Sequence, residues 1–285
     1  MQIKKHAILS MDIEDWYHLD YIKDKNSNYK MLDGLDNYVK LLNDNNVHSS
    51  FFVLGEIANS IKSKLINLNN SGHDIASHGW DHKRPLLLTP EEFKADIYKS
   101  KAHLEDLLGS KVEGYRAPCF SLDRARLDIV KNIGYNYDSS RIDFGSHPLY
   151  GNIDLSGFHK HSNNITYLDN FFEFEVSTYN LLNKKLPISG GGYIRILPWL
   201  FMKRFVTNYL NSNELYVFFI HPFEMSDKLN PNFNNVSLLN KFRFSKGRSS
   251  VSKKLNSLIQ ILKSNDFEFT TFSNLRNQLI NSPNI

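Results

Sequence analysis

The chain has 285 residues, 41% hydrophobic and 22% charged, which suits one large core and excludes an intrinsically disordered protein. Its formal charge of +4 reads as diffuse, since lysines alternate with Asp and Glu along most of the chain, and this argues against a nucleic-acid surface. The single cysteine, Cys119, excludes an intrachain disulfide.

In chain order, short β-rich runs alternate with segments of helical period, the pattern of parallel strands joined by crossover helices. The expected strands are Ala7–Asp12, Ser49–Leu54, Asp74–His78, Gly114–Pro118, Asn136–Ser140, Phe171–Val176, Tyr216–His221 and Phe267–Phe272. Helices are expected over Leu35–Asn45, Pro90–Leu108, Leu122–Ile133, Pro198–Leu210 and Ser249–Lys263. Thr89-Pro90-Glu91-Glu92 spells a helix start, with a capping hydroxyl, a proline in the first turn and acids against the dipole. Residues 143–170, 189–193 and 230–235 read as loops. With no repeat or linker to divide it, the chain is expected to form one domain over residues 1–285, a single α/β barrel. Lys4 and Lys5 are followed by too short an apolar stretch for a secretory leader, and no run reaches the roughly 20 residues that cross a bilayer. No transmembrane segment is therefore expected, and the location favoured is cytoplasmic, free or at the inner face of the membrane.

The ionisable residues fall at strand ends. Asp12, Glu14 and Asp15 end the first strand, His78 and His82 the third, Arg116 the fourth, Asp138 the fifth and His221 a late one. In a parallel α/β barrel all strand C-termini open on one face, so residues far apart in sequence converge there. His78 and His82 are spaced four apart, which on a helical turn puts both imidazoles on one side, able to share a metal. Taken alone, two unrelated loop histidines are the better reading, since eleven histidines make chance spacings common. Asp12 and Glu14 have the period-2 spacing of one strand face, so one can bind metal while the other takes a proton, although a solvated acidic turn gives the same letters. Arg116 is suited to hold a carboxylate ionised, and Pro118 to fix the Cys119 N–H as an oxyanion donor. His221 closes an apolar strand and suits a general acid, with Asp138 to orient it and raise its pKa. Cys119 lacks a local base and is not expected to be a nucleophile.

Together these segments resemble the polysaccharide deacetylase family, also called the NodB-homology or carbohydrate esterase family 4 group, over about residues 6–272. Ser77–His82 is similar to the family's His-x-x-x-His metal motif, Arg116-Ala117-Pro118-Cys119 to its Arg-x-Pro-x motif, and Val217–His221 to its apolar strand ending in the general acid. Asp138-Ser139-Ser140 matches the fourth motif in part, without the tryptophan that follows in the family. The first motif departs from two adjacent aspartates: Asp12-Ile13-Glu14-Asp15 resembles the Asp-x-Glu-Asp variant of members associated with exopolysaccharide, capsule and lipid-linked glycan gene clusters. Ser189–Arg195 and Phe242–Arg248 resemble that branch too.

The resemblance implies a distorted (β/α) barrel of seven to eight parallel strands and a metal-dependent hydrolase that removes an N-linked acetyl group from an amino sugar. It implies a divalent metal, zinc first and cobalt or nickel as alternatives, on Glu14, His78 and His82, with Asp15 the alternative carboxylate. Asp12 would be the base held by Arg116, the Cys119 N–H the oxyanion donor, and His221 the acid. Other readings are a metal-independent cyclic-amide hydrolase resembling allantoinase, and a non-catalytic glycan-binding module on the same scaffold. The expected partner is a carbohydrate, an N-acetylated polymer or a lipid-linked glycan, with Trp16, Tyr17, Trp80, Tyr150, Phe158 and Tyr193 as aromatics able to stack on sugar rings.

Overall fold

The structure, a computed structural model, describes residues 4–23, 28–145, 147–182 and 184–281. Its strands are β1 (Lys5–Ile13), β2 (Ser50–Val53), β3 (Asp74–Ser77), β4 (Gly114–Tyr115), β5 (Tyr137–Asp138), β6 (His159–Ser162), β7 (Ile165–Leu168), β8 (Phe171–Phe174), β9 (Thr178–Leu181), β10 (Lys184–Pro187), β11 (Leu215–Ile220) and β12 (Phe267–Thr270). Ten of them form one sheet in the order β11-β1-β2-β3-β4-β5-β8-β7-β6, with β12 paired to the first half of β1. All eight expected strands are present, and each pairs in parallel with a neighbour. The sheet curls into a half-barrel with helices around it, the incomplete form of the expected barrel.

The side-chain period of two explains both faces. Ala7, Leu9, Met11 and Ile13 of β1, with Phe51, Val53, Tyr216, Phe218 and Ile220, face outward into a core shared with helices Asp33–Asn45, Pro90–Leu108 and Arg248–Ser264. The alternate residues Ile8, Phe52, Ala76, Val217 and Phe219 face inward, where Phe272 and Leu275 of helix Phe272–Ile280 pack against them. Ser10, Asp12 and Glu14 continue the parity of Ile8, so they line the mouth above this apolar floor.

Two expectations need correction. Residues 143–170 are not wholly loop: β6 and β7 extend β8 as an antiparallel meander. The signal is faint because β6 reads His-Lys-His-Ser, exposed and without apolar alternation. Within 189–193, Gly191 begins a short helix to Ile196. Among the described residues, no helix is long and apolar enough to cross a membrane.

Candidate active site

Asp12 lies near the end of β1, between β11 and β2, and is buried. Arg116, immediately after β4, is wholly buried and donates from Nη1 to Asp12 Oδ1 at 2.7 Å and to Ser10 Oγ at 2.9 Å. Its Nε reaches Ser139 O and its Nη2 reaches Ser139 Oγ, both at 3.0 Å, while the guanidinium lies 4.1 Å from the Phe52 ring centroid. Every part of the fork is occupied, so Asp12 is presented in one orientation.

Glu14, His78 and His82 each offer a ligand atom within 4.8 Å of the other two. The β3 strand delivers His78, whose Nδ1 lies 2.8 Å from Arg116 O; a carbonyl only accepts, so Nδ1 carries the proton and Nε2 keeps its lone pair. Burial lowers the His78 pKa to about 4, which keeps it neutral as a ligand must be. The pair is not on a helical turn as expected: residues 78–84 form a loop in which Gly79 and His82 take positive φ, 79° and 62°. Burial would raise the Glu14 carboxyl, but the facing imidazoles of His82, His221 and His78 outweigh it and hold it well below the usual range. Glu14 Oε2 is buried and accepts no hydrogen bond of regular geometry, with His82 Nε2 in ion-pair contact. A buried carboxylate with an unsatisfied oxygen and two imidazoles is a donor set that fits a divalent cation of the zinc type.

Asp15, the alternative ligand, is spent on the chain. Its Oδ1 accepts from Trp16 N and Met31 N and caps the turn Trp16–His18. His18 completes that cap by accepting the Asp15 N–H, and its Nε2 lies 2.7 Å from Glu56 Oε1. Trp16 and Tyr17, offered as sugar platforms, are buried in a small core with Phe223 and Phe244.

His221 follows β11, its Nε2 3.6 Å from Glu14 Oε1 and 4.0 Å from Asp12 Oδ2. The expected partnership with Asp138 is corrected: Asp138 accepts from Ser140 N and Oγ at 2.8 and 2.7 Å, and among the described residues the carboxylate on His221 Nδ1 is Glu224, at 3.0 Å. Arg195 in turn donates to Glu224 Oε1 at 2.7 Å. Burial opposes the imidazolium, yet Glu224, Glu14 and Asp12 outweigh it and lift the His221 pKa to about 9. Glu224 escaped the sequence reading although His221-Pro222-Phe223-Glu224 spells the same capping box as Thr89–Glu92. Cys119 sits beside the site with a left-handed backbone, φ 55°, and burial pushes its thiol well up, which disfavours the thiolate.

The site lies at the strand ends of a curled, mostly parallel sheet, and the known proteins that this chain is similar to are deacetylases. Residues 27–137 match the polysaccharide deacetylase family and residues 139–277 match a domain of unknown function, DUF3473. The first part of the chain is thus similar to polysaccharide deacetylases and the second to DUF3473. Over 117 residues it is 23% identical to a peptidoglycan deacetylase of Helicobacter pylori, covering 41% of this chain and 40% of that one. Over 106 residues it is 28% identical to a chitin deacetylase of Pestalotiopsis sp., covering 36% of each. The chain thus spans well under half the length of these curated relatives. Its fold is similar to the crystal structure of a candidate polysaccharide deacetylase from Mycobacterium smegmatis, with TM-score 0.64 and 16% identity over 98% of this chain and 91% of that one. The deacetylases it resembles are hydrolases of carbon–nitrogen bonds.

Proposed function

We propose that the protein is a metal-dependent N-deacetylase of an amino sugar in a glycan or glycan precursor, with zinc on Glu14, His78 and His82. The observation that carries this reading is the meeting, at one strand-end mouth, of the buried Asp12–Arg116 pair, the Glu14–His78–His82 triad and His221. When bound, a divalent cation supplies Lewis acidity to the amide carbonyl and lowers the pKa of water. Asp12, fixed through Oδ1 by Arg116, takes the water proton on Oδ2. The Cys119 N–H is the candidate donor to the developing oxyanion. His221, held through Nδ1 by Glu224, delivers the proton from Nε2 to the departing amine.

The two family matches meet at residue 138, yet β5 pairs with both β4 and β8, so the sheet runs across that boundary. Asp12, His78 and Arg116 come from one side of it and His221 and Glu224 from the other. In this reading the whole chain is one catalytic unit, and the DUF3473 half contributes the acid. The Asp12-Ile13-Glu14-Asp15 spelling supports the branch acting on exopolysaccharide or lipid-linked glycans. The allantoinase-like alternative leaves the unsatisfied Glu14 oxygen beside two imidazoles without a use.

The test is acetate release from N-acetylglucosamine oligosaccharides by wild type and Asp12→Asn. Wild-type turnover that falls by at least about a hundredfold in the variant, with metal content unchanged, supports the assignment. Undiminished turnover in Asp12→Asn overturns it.

A further inference from the structure

The charge of the chain is segregated rather than diffuse. Residues 177–265 hold thirteen Lys and Arg against three Asp and Glu, whereas the rest of the chain holds 21 against 27. Several of the thirteen are committed to the fold: Arg195 and Arg248 bind backbone carbonyls, and Lys254 reaches the carbonyls of Ile194, Arg195 and Leu197. Lys203, Arg204, Arg243 and Lys246 are exposed. No acidic residue lies on the helices that carry them, Trp199–Leu210 and Leu238–Ser245, or anywhere between 228 and 265.

Those same helices expose large apolar side chains. Leu238–Ser245 buries only Phe244 and leaves Leu238, Leu239 and Phe242 exposed, at 85%, 57% and 52%. Three- and four-residue spacing brings these three to one side of the helix. Leu200 and Phe201 at the start of the other helix are 76% and 56% exposed. Arg195, on the short helix Gly191–Ile196 that precedes Trp199–Leu210, donates to the carbonyls of Arg243, Phe244 and Lys246, so the chain leading into the second helix is tied to the first. Apolar residues flanked by cations that, among the described residues, form no ion pair are the composition of an interfacial helix, whose apolar face enters the headgroup boundary while the cations meet anionic lipid. A protein groove of ordinary composition would not require the exclusion of acids.

We propose that helix Leu238–Ser245, with the start of helix Trp199–Leu210, docks on an anionic phospholipid bilayer. The surface is coupled to the site, because Arg195, which binds the backbone of the docking helix, also binds the Glu224 that holds His221. The mouth would then work at the membrane, which favours a lipid-linked amino-sugar substrate; that last step rests on the deacetylase reading, whereas docking does not.

The experiment is co-sedimentation of the full chain with vesicles of phosphatidylcholine alone or mixed with phosphatidylglycerol. It compares wild type, Leu238→Ser/Leu239→Ser/Phe242→Ser and Lys203→Glu/Arg204→Glu/Arg243→Glu. It is repeated in the His78→Ala/His82→Ala background, where catalysis is expected to be absent, so that docking is read apart from activity. Wild type should favour the anionic vesicles by about tenfold or more, lose that preference in either variant and release with added salt. The exposed positions leave folding intact, and the charge variant keeps the test open should the apolar one aggregate. Absence of vesicle binding, or binding equal in wild type and both variants, overturns the proposal. So does a dimer in sedimentation velocity that the apolar variant dissociates, which would assign the face to a second copy.

Discussion

Glu224 Oε2 stands 3.0 Å from His221 Nδ1 and accepts the His221 backbone N–H at 3.1 Å, so one carboxylate oxygen fixes both the ring and the chain that carries it. Burial alone would raise the Glu224 carboxyl; Arg195 and His221 outweigh it and hold it down to about 2. Gly191 allows this approach, since a Cβ there would lie 2.1 Å from Glu224 Oε2. Glu224→Ala is expected to lower kcat about a hundredfold with little change in KM and with metal retained. Glu224→Gln, which keeps an oxygen for Nδ1–H, should recover part of the loss. Steady-state kinetics on the two variants, with metal analysis, checks this; equal kcat in both would reduce Glu224 to a fold residue.

Arg116 presents a second expectation. It is buried and spent on Asp12, Ser10 and Ser139, so Arg116→Met leaves Asp12 charged and unpaired in the interior. A loss of about 3–5 kcal/mol is expected for breaking such a pair. Asp12→Asn, which retains an acceptor for the guanidinium, should cost less. Urea unfolding of both variants orders them, and the reverse order would contradict the arrangement.

Asp15 and Glu14 are adjacent acids with separate tasks. Glu14→Ala is expected to abolish metal binding. Asp15→Ala should keep the metal and lose about 1–2 kcal/mol, the value of a capping side chain. Metal titration and thermal unfolding separate the two, and metal loss in Asp15→Ala would exchange their roles.

Glu173 faces Asp138 across β5 and β8, and burial together with the Asp138 carboxylate pushes its pKa well up. The folded state therefore keeps a proton that the unfolded chain releases above the ordinary carboxylate range. That contribution is full below the unfolded pKa and fades as pH rises toward the folded one. Glu173→Gln removes the penalty and can still donate to Asp138, so its stability relative to wild type should climb between pH 5 and 8. Denaturant midpoints at several pH values check this; a constant difference would show that Glu173 stays ionised in the folded state.

Much of this was legible in the sequence. A strand buried on both faces must be a near-continuous apolar run, so Leu215–Ile220 and Ala7–Met11 announced themselves, and the polar residue ending each run marked the mouth. Carboxylate partnership was less legible. Asp138 could be placed at a strand end, but that Ser140 two residues later would take its oxygens depends on a local turn. Glu224 was spelled out in a capping box, whose usual meaning is structural. The left-handed backbone of His82 gave little signal, because a histidine enters positive φ far less readily than glycine does. Segregated charge was present in the letters, but its meaning required knowing that Leu238, Leu239 and Phe242 stay outside the core.

The central claim, that Glu14, His78 and His82 hold a divalent cation on which hydrolysis depends, is tested most directly by elemental analysis of purified wild type and a His78→Ala/His82→Ala variant. About one zinc, cobalt or nickel ion per wild-type chain and none in the variant is the predicted result. Equal and negligible metal in both, after reconstitution with each ion, would contradict the account.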